Sequence, residues 1–283
     1  MSGNALEIRG LCKQYKGFAL CDVGFTLPRG TVMGLIGENG AGKSTTIKAV
    51  LDLIRPDSGE ITLLGEYRPS DPSVRERIGV VLEDGGFPST MTAAQVDMLL
   101  GRAYRHWDAA QFAAYIETFG IDREKAIKDY SKGMKTKLAI AAALSHHAEL
   151  LLLDEPTSGL DPVVRDEVLD LLYDFMQDET HAILLSSHIT SDLDKIADEI
   201  TFIHKGRVLL SEPRDQLLDT CGVLRCTAEQ RKALDPAAVR AERMGAFGCE
   251  VLVKRDGVPE NWPVEPVSIE QIMLFLTREE EVQ

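Results

Sequence analysis

Nearly continuous apolar runs alternate along the chain with stretches in which apolar residues recur at helical spacing. Predicted buried strands lie at 31–37, 77–83, 149–154 and 181–188. Shorter strands are predicted at 5–11, 23–30 and 61–65, and in a hairpin at 200–212. Predicted helices lie at 43–54, about 92–119, 132–145, 162–176 and 191–199. Strands that are apolar on both faces are typical of parallel sheets covered by helices, so the pattern predicts an α/β fold with a mostly parallel central sheet.

The pattern changes beyond Pro213, where the predicted strands and helices become short. The last predicted helix begins with a capping box, because Ser268 precedes Gln271 by three residues. We therefore predict a main domain at 1–213 and a small α+β accessory domain at 214–283. The composition of the accessory domain assigns no chemistry to it.

Composition and charge remove several classes of function. Acidic residues outnumber basic ones 45 to 31, and the net charge of −14 disfavours attraction to nucleic-acid backbones. The five cysteines form no CxxC pair, so reduced thiols in a cytosolic protein are expected, with a metal site at Cys221 and Cys226 as the alternative. No leader sequence and no apolar run of about 18 residues is found, so we expect neither export nor membrane spanning.

The stretch from Gly37 to Ser44 fits the phosphate-loop pattern G-x-x-x-x-G-K-[ST], between a predicted strand and a predicted helix. Glycines allow backbone amides to surround phosphate oxygens, and the helix directs the positive end of its dipole to the same anion. Lys43 would contact the β and γ phosphates, and the Ser44 hydroxyl would bind Mg²⁺. The alternative is a glycine-rich turn without a ligand. The pattern predicts binding of a nucleoside triphosphate.

Polar residues stand where three buried strands end. Asp154 and Glu155 follow the leucine run at 150–153, His188 ends the run "AILLSSH", and Glu83 ends "RIGVVLE". Ligands of open α/β sheets lie outside the carboxyl ends of the strands. Asp154 and Glu83 are therefore candidate metal contacts, Glu155 a candidate for orienting the attacking water, and His188 a contact for the γ-phosphate or the water. The alternatives are a solvated strand end for Asp154 and a helix cap for Glu155. For His188 the alternative is a structural histidine, and for Glu83 it is a loop residue.

The motifs together resemble the nucleotide-binding subunit of an ATP-binding cassette (ABC) transporter. "GENGAGKST" is similar to the Walker A motif, "LLLLDEP" to Walker B with its catalytic glutamate, "SGLD" to the D-loop and "SSH" to the switch histidine. The resemblance covers about 5–211. It implies a P-loop NTPase cassette with an antiparallel β subdomain and a helical subdomain at about 84–147. It also implies ATP binding by Tyr15, which would stack on adenine, and by Gly37, Glu38, Asn39, Gly40, Ala41, Gly42, Lys43, Ser44 and Thr45.

Two positions depart from the family pattern. The signature reads Tyr130, Ser131, Lys132, Gly133, Met134, where the family usually has leucine-serine-glycine-glycine-glutamine. The Ser131 hydroxyl and the Gly133 amide could still form an anion site at a helix start, and a plain helix cap is the alternative. Glu83 replaces the usual glutamine and adds negative charge near the metal.

The resemblance further implies how the protein works. Ser131 and Gly133 would complete the ATP site of a second ATPase subunit in a head-to-tail dimer, which is bridged by Asp161. Homodimers are sufficient, and heterodimers remain open. Exporters of the ABC-2 type tolerate both departures and end in a helix similar to "SIEQIMLFLT". We therefore expect an ATPase that uses Mg²⁺ and powers transport, in the export direction, through a separate membrane permease at the cytoplasmic face of the membrane.

Two other classes of function remain open at the sequence level. A soluble ABC ATPase that acts on ribosomes or DNA usually carries two cassettes or a long coiled coil, and neither is found here. A regulatory module that binds ATP without hydrolysing it is the second alternative. It would be distinguished by a Glu155→Gln variant with an unchanged ATPase rate.

Overall fold

The computed structural model describes residues 3–66, 71–83, 86–245 and 248–278. The strands are β1 (Asn4–Tyr15), β2 (Phe18–Pro28), β3 (Val32–Ile36), β4 (Ser58–Leu63), β5 (Ile78–Val81), β6 (Leu150–Asp154), β7 (Ala182–Ser187), β8 (Glu199–His204), β9 (Arg207–Pro213), β10 (Cys221–Cys226), β11 (Val239–Gly245), β12 (Gly248–Lys254) and β13 (Val264–Glu265). The helices are α1 (Lys43–Val50), α2 (Pro72–Arg75), α3 (Ala93–Ala103), α4 (Ala109–Thr118), α5 (Lys132–Leu144), α6 (Pro162–Phe175), α7 (Thr190–Ile196), α8 (Arg214–Thr220), α9 (Ala228–Ala233) and α10 (Ile269–Arg278).

The central sheet has six strands in the order β5-β6-β7-β3-β8-β9. The pairs β5–β6, β6–β7, β3–β7 and β3–β8 are parallel. Every residue of β3, β6 and β7 is buried, which explains why these strands begin with uninterrupted apolar runs instead of alternating apolar and polar residues. The prediction of a mostly parallel sheet is confirmed. The hairpin from β8 to β9 turns at Lys205 and Gly206, both with positive φ.

A second sheet, of order β2-β1-β4, is antiparallel. Its apolar side chains share one hydrophobic core with β3, α1 and β6. The sheet corresponds to the antiparallel β subdomain that the family resemblance implies.

The helices α3, α4 and α5 surround a separate apolar cluster that includes Phe112, Ile116 and Leu138. The prediction of one helix over about 92–119 is wrong, because α3 ends at Ala103 and α4 begins only at Ala109. The Asp108 carboxylate accepts a hydrogen bond of 2.8 Å from the Gln111 amide and so starts a new helix. Residues 84 and 85, at the predicted start of the helical subdomain, lie outside the described residues.

The described chain divides into two compact units, Met1–Val208 and Leu209–Gln283. The second unit contains an antiparallel sheet of order β11-β12-β10-β13 and the amphipathic helix α10, which packs on β11. Strand β9 spans the dividing point, so the boundary after residue 213 stays a prediction. In the described ranges, every helix is too short or too polar to cross a lipid bilayer.

Candidate functional site

Four neighbouring parallel strands end at one edge of the central sheet. Because β5, β6, β7 and β3 run in the same direction, the residues that follow them meet there. A cavity of about 580 Å³ lies at this edge. It is lined by Gly17, Phe18, Glu38, Asn39, Gly40, Gly42, Lys43, Ser44, Thr45, Glu83, Glu155, Ser158 and His188. The loop between β3 and α1 forms one wall of it, and residues after β5, β6 and β7 form another.

Two glycines of this loop have no room for a larger side chain. A Cβ on Gly37 would lie 2.3 Å from the Ile203 carbonyl oxygen. Gly42 has a φ of 116°, in the left-handed region, and a Cβ there would lie 2.6 Å from the Leu20 side chain. Gly42 is also the N-cap residue of α1, and it offers no side-chain cap. The first amides of α1 are therefore left for an anion at the positive end of the helix dipole.

Lys43, Glu155 and His188 form a connected set of charged and polar groups. The Lys43 ammonium lies 3.1 Å from Glu155 Oε1 and donates a hydrogen bond of 2.7 Å to the Gly37 carbonyl. His188 Nδ1 lies 2.7 Å from Glu155 Oε2. Lys43 and Glu155 are buried, whereas His188 is partly exposed. Three segments that are far apart in the sequence thus meet around one carboxylate.

Asp154 lies behind the cavity wall and is held by Ser186. The Ser186 hydroxyl donates a hydrogen bond of 2.6 Å to Asp154 Oδ1 and accepts one of 3.0 Å from the Glu155 amide. Asp154 on β6 and Ser186 on β7 are paired across these two parallel strands. This bond fixes one carboxylate oxygen of Asp154, so Oδ2 is the oxygen that remains for a ligand.

Glu155 has a left-handed backbone, with a φ of 52°. Such a conformation costs roughly 1–3 kcal/mol for a residue other than glycine, and it persists only where surrounding contacts enforce it. Here the amide is bonded to Ser186 and the side chain to Lys43 and His188. The backbone turn directs the Glu155 carboxylate into the cavity, away from the position that Asp154 occupies at the end of the strand.

Most of the predicted nucleotide and metal contacts line the cavity, and four do not. Glu83 and Ser44, the predicted metal contacts, line it together with the loop residues. Tyr15, Gly37, Ala41 and Asp154 are not among the lining residues. Tyr15 is exposed, with the Lys13 ammonium 5.8 Å from its ring centre, while Ala41 and Asp154 are buried. The roles predicted for these four residues and for the residues that line the cavity stay predictions.

Ser131, Gly133 and Asp161 lie outside this cavity, near one another. Ser131 caps α5 by accepting a hydrogen bond of 3.2 Å from the Met134 amide, and Asp161 caps α6 in the same way at 3.1 Å from the Val164 amide. A Cβ on Gly133 would lie 3.0 Å from Val164, so the starts of α5 and α6 are in contact. The cap role that was the alternative for Ser131 is present, and its hydroxyl proton remains available to an anion.

Four residues of the site were not identified from the sequence. Phe18, Gly17 and Ser158 line the cavity, and Ser186 holds Asp154. The signal for Phe18 was its aromatic side chain three residues after Tyr15. The signal for Ser186 was its place at the end of the buried run "AILLSSH", where a buried hydroxyl needs a hydrogen-bond partner.

The sequence matches a family model described as "ABC transporter" over residues 20–158. The bacitracin transport ATP-binding protein BcrA of Bacillus licheniformis is 35% identical over 216 residues, which are 75% of this chain and 71% of that protein. The daunorubicin/doxorubicin resistance ATP-binding protein DrrA of Streptomyces peucetius is 34% identical over 264 residues, 90% of this chain and 78% of that protein.

A solved structure of an ATP-binding subunit of an ABC transporter is similar in fold as well as in sequence. It is 30% identical, with a TM-score of 0.69, and the match covers 76% of this chain and 92% of that one.

Proposed function

This chain belongs to the ABC transporter family as an ATP-binding and ATP-hydrolysing subunit, and we propose that hydrolysis in its cavity drives export through a separate permease. The predictions of family, fold class and ATPase function are confirmed. The observation that supports the catalytic proposal is the contact of Lys43 and His188 with the single carboxylate of Glu155.

ATP would lie with its phosphates against the loop from Gly37 to Gly42. Backbone amides of this loop and of the start of α1 would surround the phosphate oxygens, and Lys43 would neutralise the β and γ phosphates. Phe18 lines the same cavity, which supports an apolar contact with the nucleoside, next to the proposed stacking on Tyr15.

The residues at the phosphate end fit Mg²⁺. Ser44 and Glu83 line the cavity, and Asp154 retains a free carboxylate oxygen behind it, so the available donors are the hard oxygens that Mg²⁺ prefers. The described part of the chain has no cluster of three His, Cys, Asp or Glu side chains that could hold a metal alone. Phosphate oxygens and water would therefore complete the coordination, and the metal would neutralise charge on the phosphates.

Glu155 would orient the attacking water and polarise it as the γ-phosphorus–oxygen bond to ADP breaks. His188 would keep the Glu155 carboxylate in place through the Nδ1 contact and would reach the γ-phosphate from the exposed side of the cavity. The products are ADP and inorganic phosphate.

A second ATPase subunit would complete the site. The contact between the starts of α5 and α6 supports a shared surface in which Ser131 and Gly133 face the partner's ATP and Asp161 lies at the interface. The named roles of BcrA and DrrA, in bacitracin transport and in resistance to two drugs, support export of an antibiotic-like compound. The chain would then act on the cytoplasmic side of the membrane, bound to the permease.

The Glu155→Gln variant tests the catalytic assignment. We expect ATP binding within about twofold of the wild type and turnover lower by roughly 100-fold or more, because the amide cannot polarise the water. Steady-state phosphate release and equilibrium binding of ATP, both on the full chain, give the two values. Glu117→Gln, the same change at an exposed position of α4, is the matched control. An unchanged rate for Glu155→Gln would show that another group activates the water.

Transport itself is tested with the permease. Inside-out vesicles that contain this chain and its permease should take up the exported compound only with ATP, and Glu155→Gln should abolish the uptake. Uptake that continues with the variant would contradict the proposal.

A further inference from the structure

Asp192 is a buried carboxylate with partners on two other segments of the first unit. It lies on α7 and has no exposed surface. The Thr157 hydroxyl donates a hydrogen bond of 2.6 Å to Asp192 Oδ2. The Arg165 side chain, on α6, donates through Nε to Oδ1, and its Nη2 donates a further bond of 2.6 Å to Ser191. Both oxygens of the carboxylate are therefore occupied.

These partners connect the segments that carry the reacting groups. Thr157 is two residues beyond Glu155, and Asp192 is four residues beyond His188. Arg165 lies in the first turn of α6, which follows the N-cap residue Asp161. One carboxylate thus joins the chain after β6, the chain after β7 and the start of α6. None of the three joined residues lines the cavity.

The cost of burying the Asp192 carboxylate keeps its hydrogen-bond partners in fixed positions. Removing a carboxylate from water costs several kcal/mol, and the cost is offset only while a cation and hydrogen-bond donors stay in place. Thr157 and Arg165 are therefore held against Asp192. The strained φ of Glu155 persists only where the surrounding contacts enforce it. Ser186 provides the contact at the Glu155 amide, and the bond from Thr157 to Asp192 holds the segment that follows.

We propose that Asp192 is a positioning residue of the ATPase reaction, acting through Thr157 and Arg165. It keeps the Glu155 carboxylate and His188 in register with each other and with the start of α6. The inference rests on the proposed catalytic role of Glu155. A displacement of about 1 Å at a reacting group can lower turnover by roughly 100-fold, so loss of the Asp192 contact should lower kcat and leave ATP binding nearly intact.

The test compares Thr157→Val, Thr157→Ser and Asp192→Asn in the full chain. Thr157→Val removes only the hydroxyl that reaches Asp192, and we expect kcat to fall roughly 10- to 100-fold while ATP affinity stays within about twofold. Thr157→Ser keeps the hydroxyl and should restore kcat to within about threefold of the wild type. Asp192→Asn also weakens the contact with Arg165 and should lower kcat at least as much as Thr157→Val does. The double variant should lower kcat little below Asp192→Asn alone, because the two changes share the contact between Thr157 and Asp192.

Asp166→Asn is the matched control. It removes an ion pair of 2.6 Å to Lys195 that joins the same two helices, α6 and α7, at the exposed surface. Its kcat should equal that of the wild type. If Asp192→Asn fails to fold, the pair Thr157→Val and Thr157→Ser decides alone.

The inference is overturned if Thr157→Val keeps kcat within about twofold of the wild type, or if it loses ATP binding in parallel with kcat. The second result would indicate a general structural role. Failure of the proposed function gives a different result, since Glu155→Gln would then hydrolyse ATP at the wild-type rate.

Discussion

At the scale of single residues, the site depends on buried polar groups that hold one another. Glu155 contacts Lys43 and His188 through its side chain and Ser186 through its amide. Each contact is short, and Lys43 and Ser186 are buried, so the removal of one partner leaves another group without its hydrogen bond. Measuring both kcat and the free energy of unfolding shows whether a substitution affects the reaction, the stability of the fold, or both.

Ser186→Ala should lower both stability and turnover. The variant loses the donor to Asp154 Oδ1, which costs about 1–3 kcal/mol for a buried carboxylate, and we expect kcat to fall roughly tenfold as Asp154 shifts. Urea unfolding and phosphate release measure the two effects. Ser145→Ala, which removes a bond of equal length from another buried serine at the end of α5, should lower stability alone. Wild-type turnover in Ser186→Ala would exclude a role for the serine in placing Asp154.

At the scale of elements, the opposite edge of the central sheet is held by an ion network. Glu149, just before β6, accepts from Arg77 at 2.5 Å and from Arg29 at 2.9 Å. Arg77 precedes β5 and Arg29 follows β2, so one carboxylate connects three strands at the edge away from the cavity. The hydrogen bond from Arg77, and then that from Arg29, lowers the pKa of Glu149 below its ordinary value.

Glu149→Gln should destabilise the protein by about 1–2 kcal/mol at pH 7, because the charged hydrogen bonds become neutral. The Glu149 carboxylate keeps its charge to lower pH in the folded protein than in the unfolded chain. Its contribution to the free energy of unfolding is therefore complete above the ordinary pKa. That contribution is lost as the pH falls below about 4.5 and through the lowered pKa. The difference between variant and wild type should therefore shrink on acidification.

Urea unfolding at pH 7 and at pH 4 measures this difference. Asp52→Asn removes an exposed ion pair with Arg75 and should change stability by less than about 0.5 kcal/mol. A Glu149→Gln effect that grows on acidification would contradict the sign of the pKa shift.

At the scale of the whole molecule, the separation of the signature residues from the cavity has a testable consequence. Ser131 and Gly133 do not line the cavity that holds Lys43 and Glu155. If the site is completed by a second copy, each chain contributes Lys43 to one site and Ser131 to the other. An isologous dimer then has two equal composite sites.

Mixing two inactive chains should restore activity. Lys43→Ala and Ser131→Arg homodimers each have two defective sites, whereas their heterodimer has one site with both defects and one intact site. With equal mixing and independent sites, about one quarter of the wild-type rate should return. Phosphate release before and after subunit exchange measures it. If the two variants carry different labels, dimers with both labels show that exchange has taken place. No recovery of activity despite exchange would mean that Lys43 and Ser131 of one chain act in the same site, or that a dimer needs two intact sites.

The sequence by itself determined the sheet, the phosphate loop and most of the cavity residues. Uninterrupted apolar runs that alternate with helices are typical of a covered parallel sheet, and parallel strands bring the residues at their carboxyl ends to one edge. Lys43, Ser44, Glu83, Glu155 and His188 could therefore be placed together without a structure. The break between α3 and α4 was missed, because the apolar spacing continues across the cap at Asp108.

Only the tertiary structure decided which side chains touch. Ser186 against Asp154, and Asp192 against Thr157 and Arg165, are contacts between residues about 27 to 35 positions apart in the chain. Their hydrogen bonds depend on the register of β6 with β7 and on the placement of α6 beside α7, which no local pattern encodes. Burial then makes these contacts strong, since a polar group that is removed from water must be paired inside the fold.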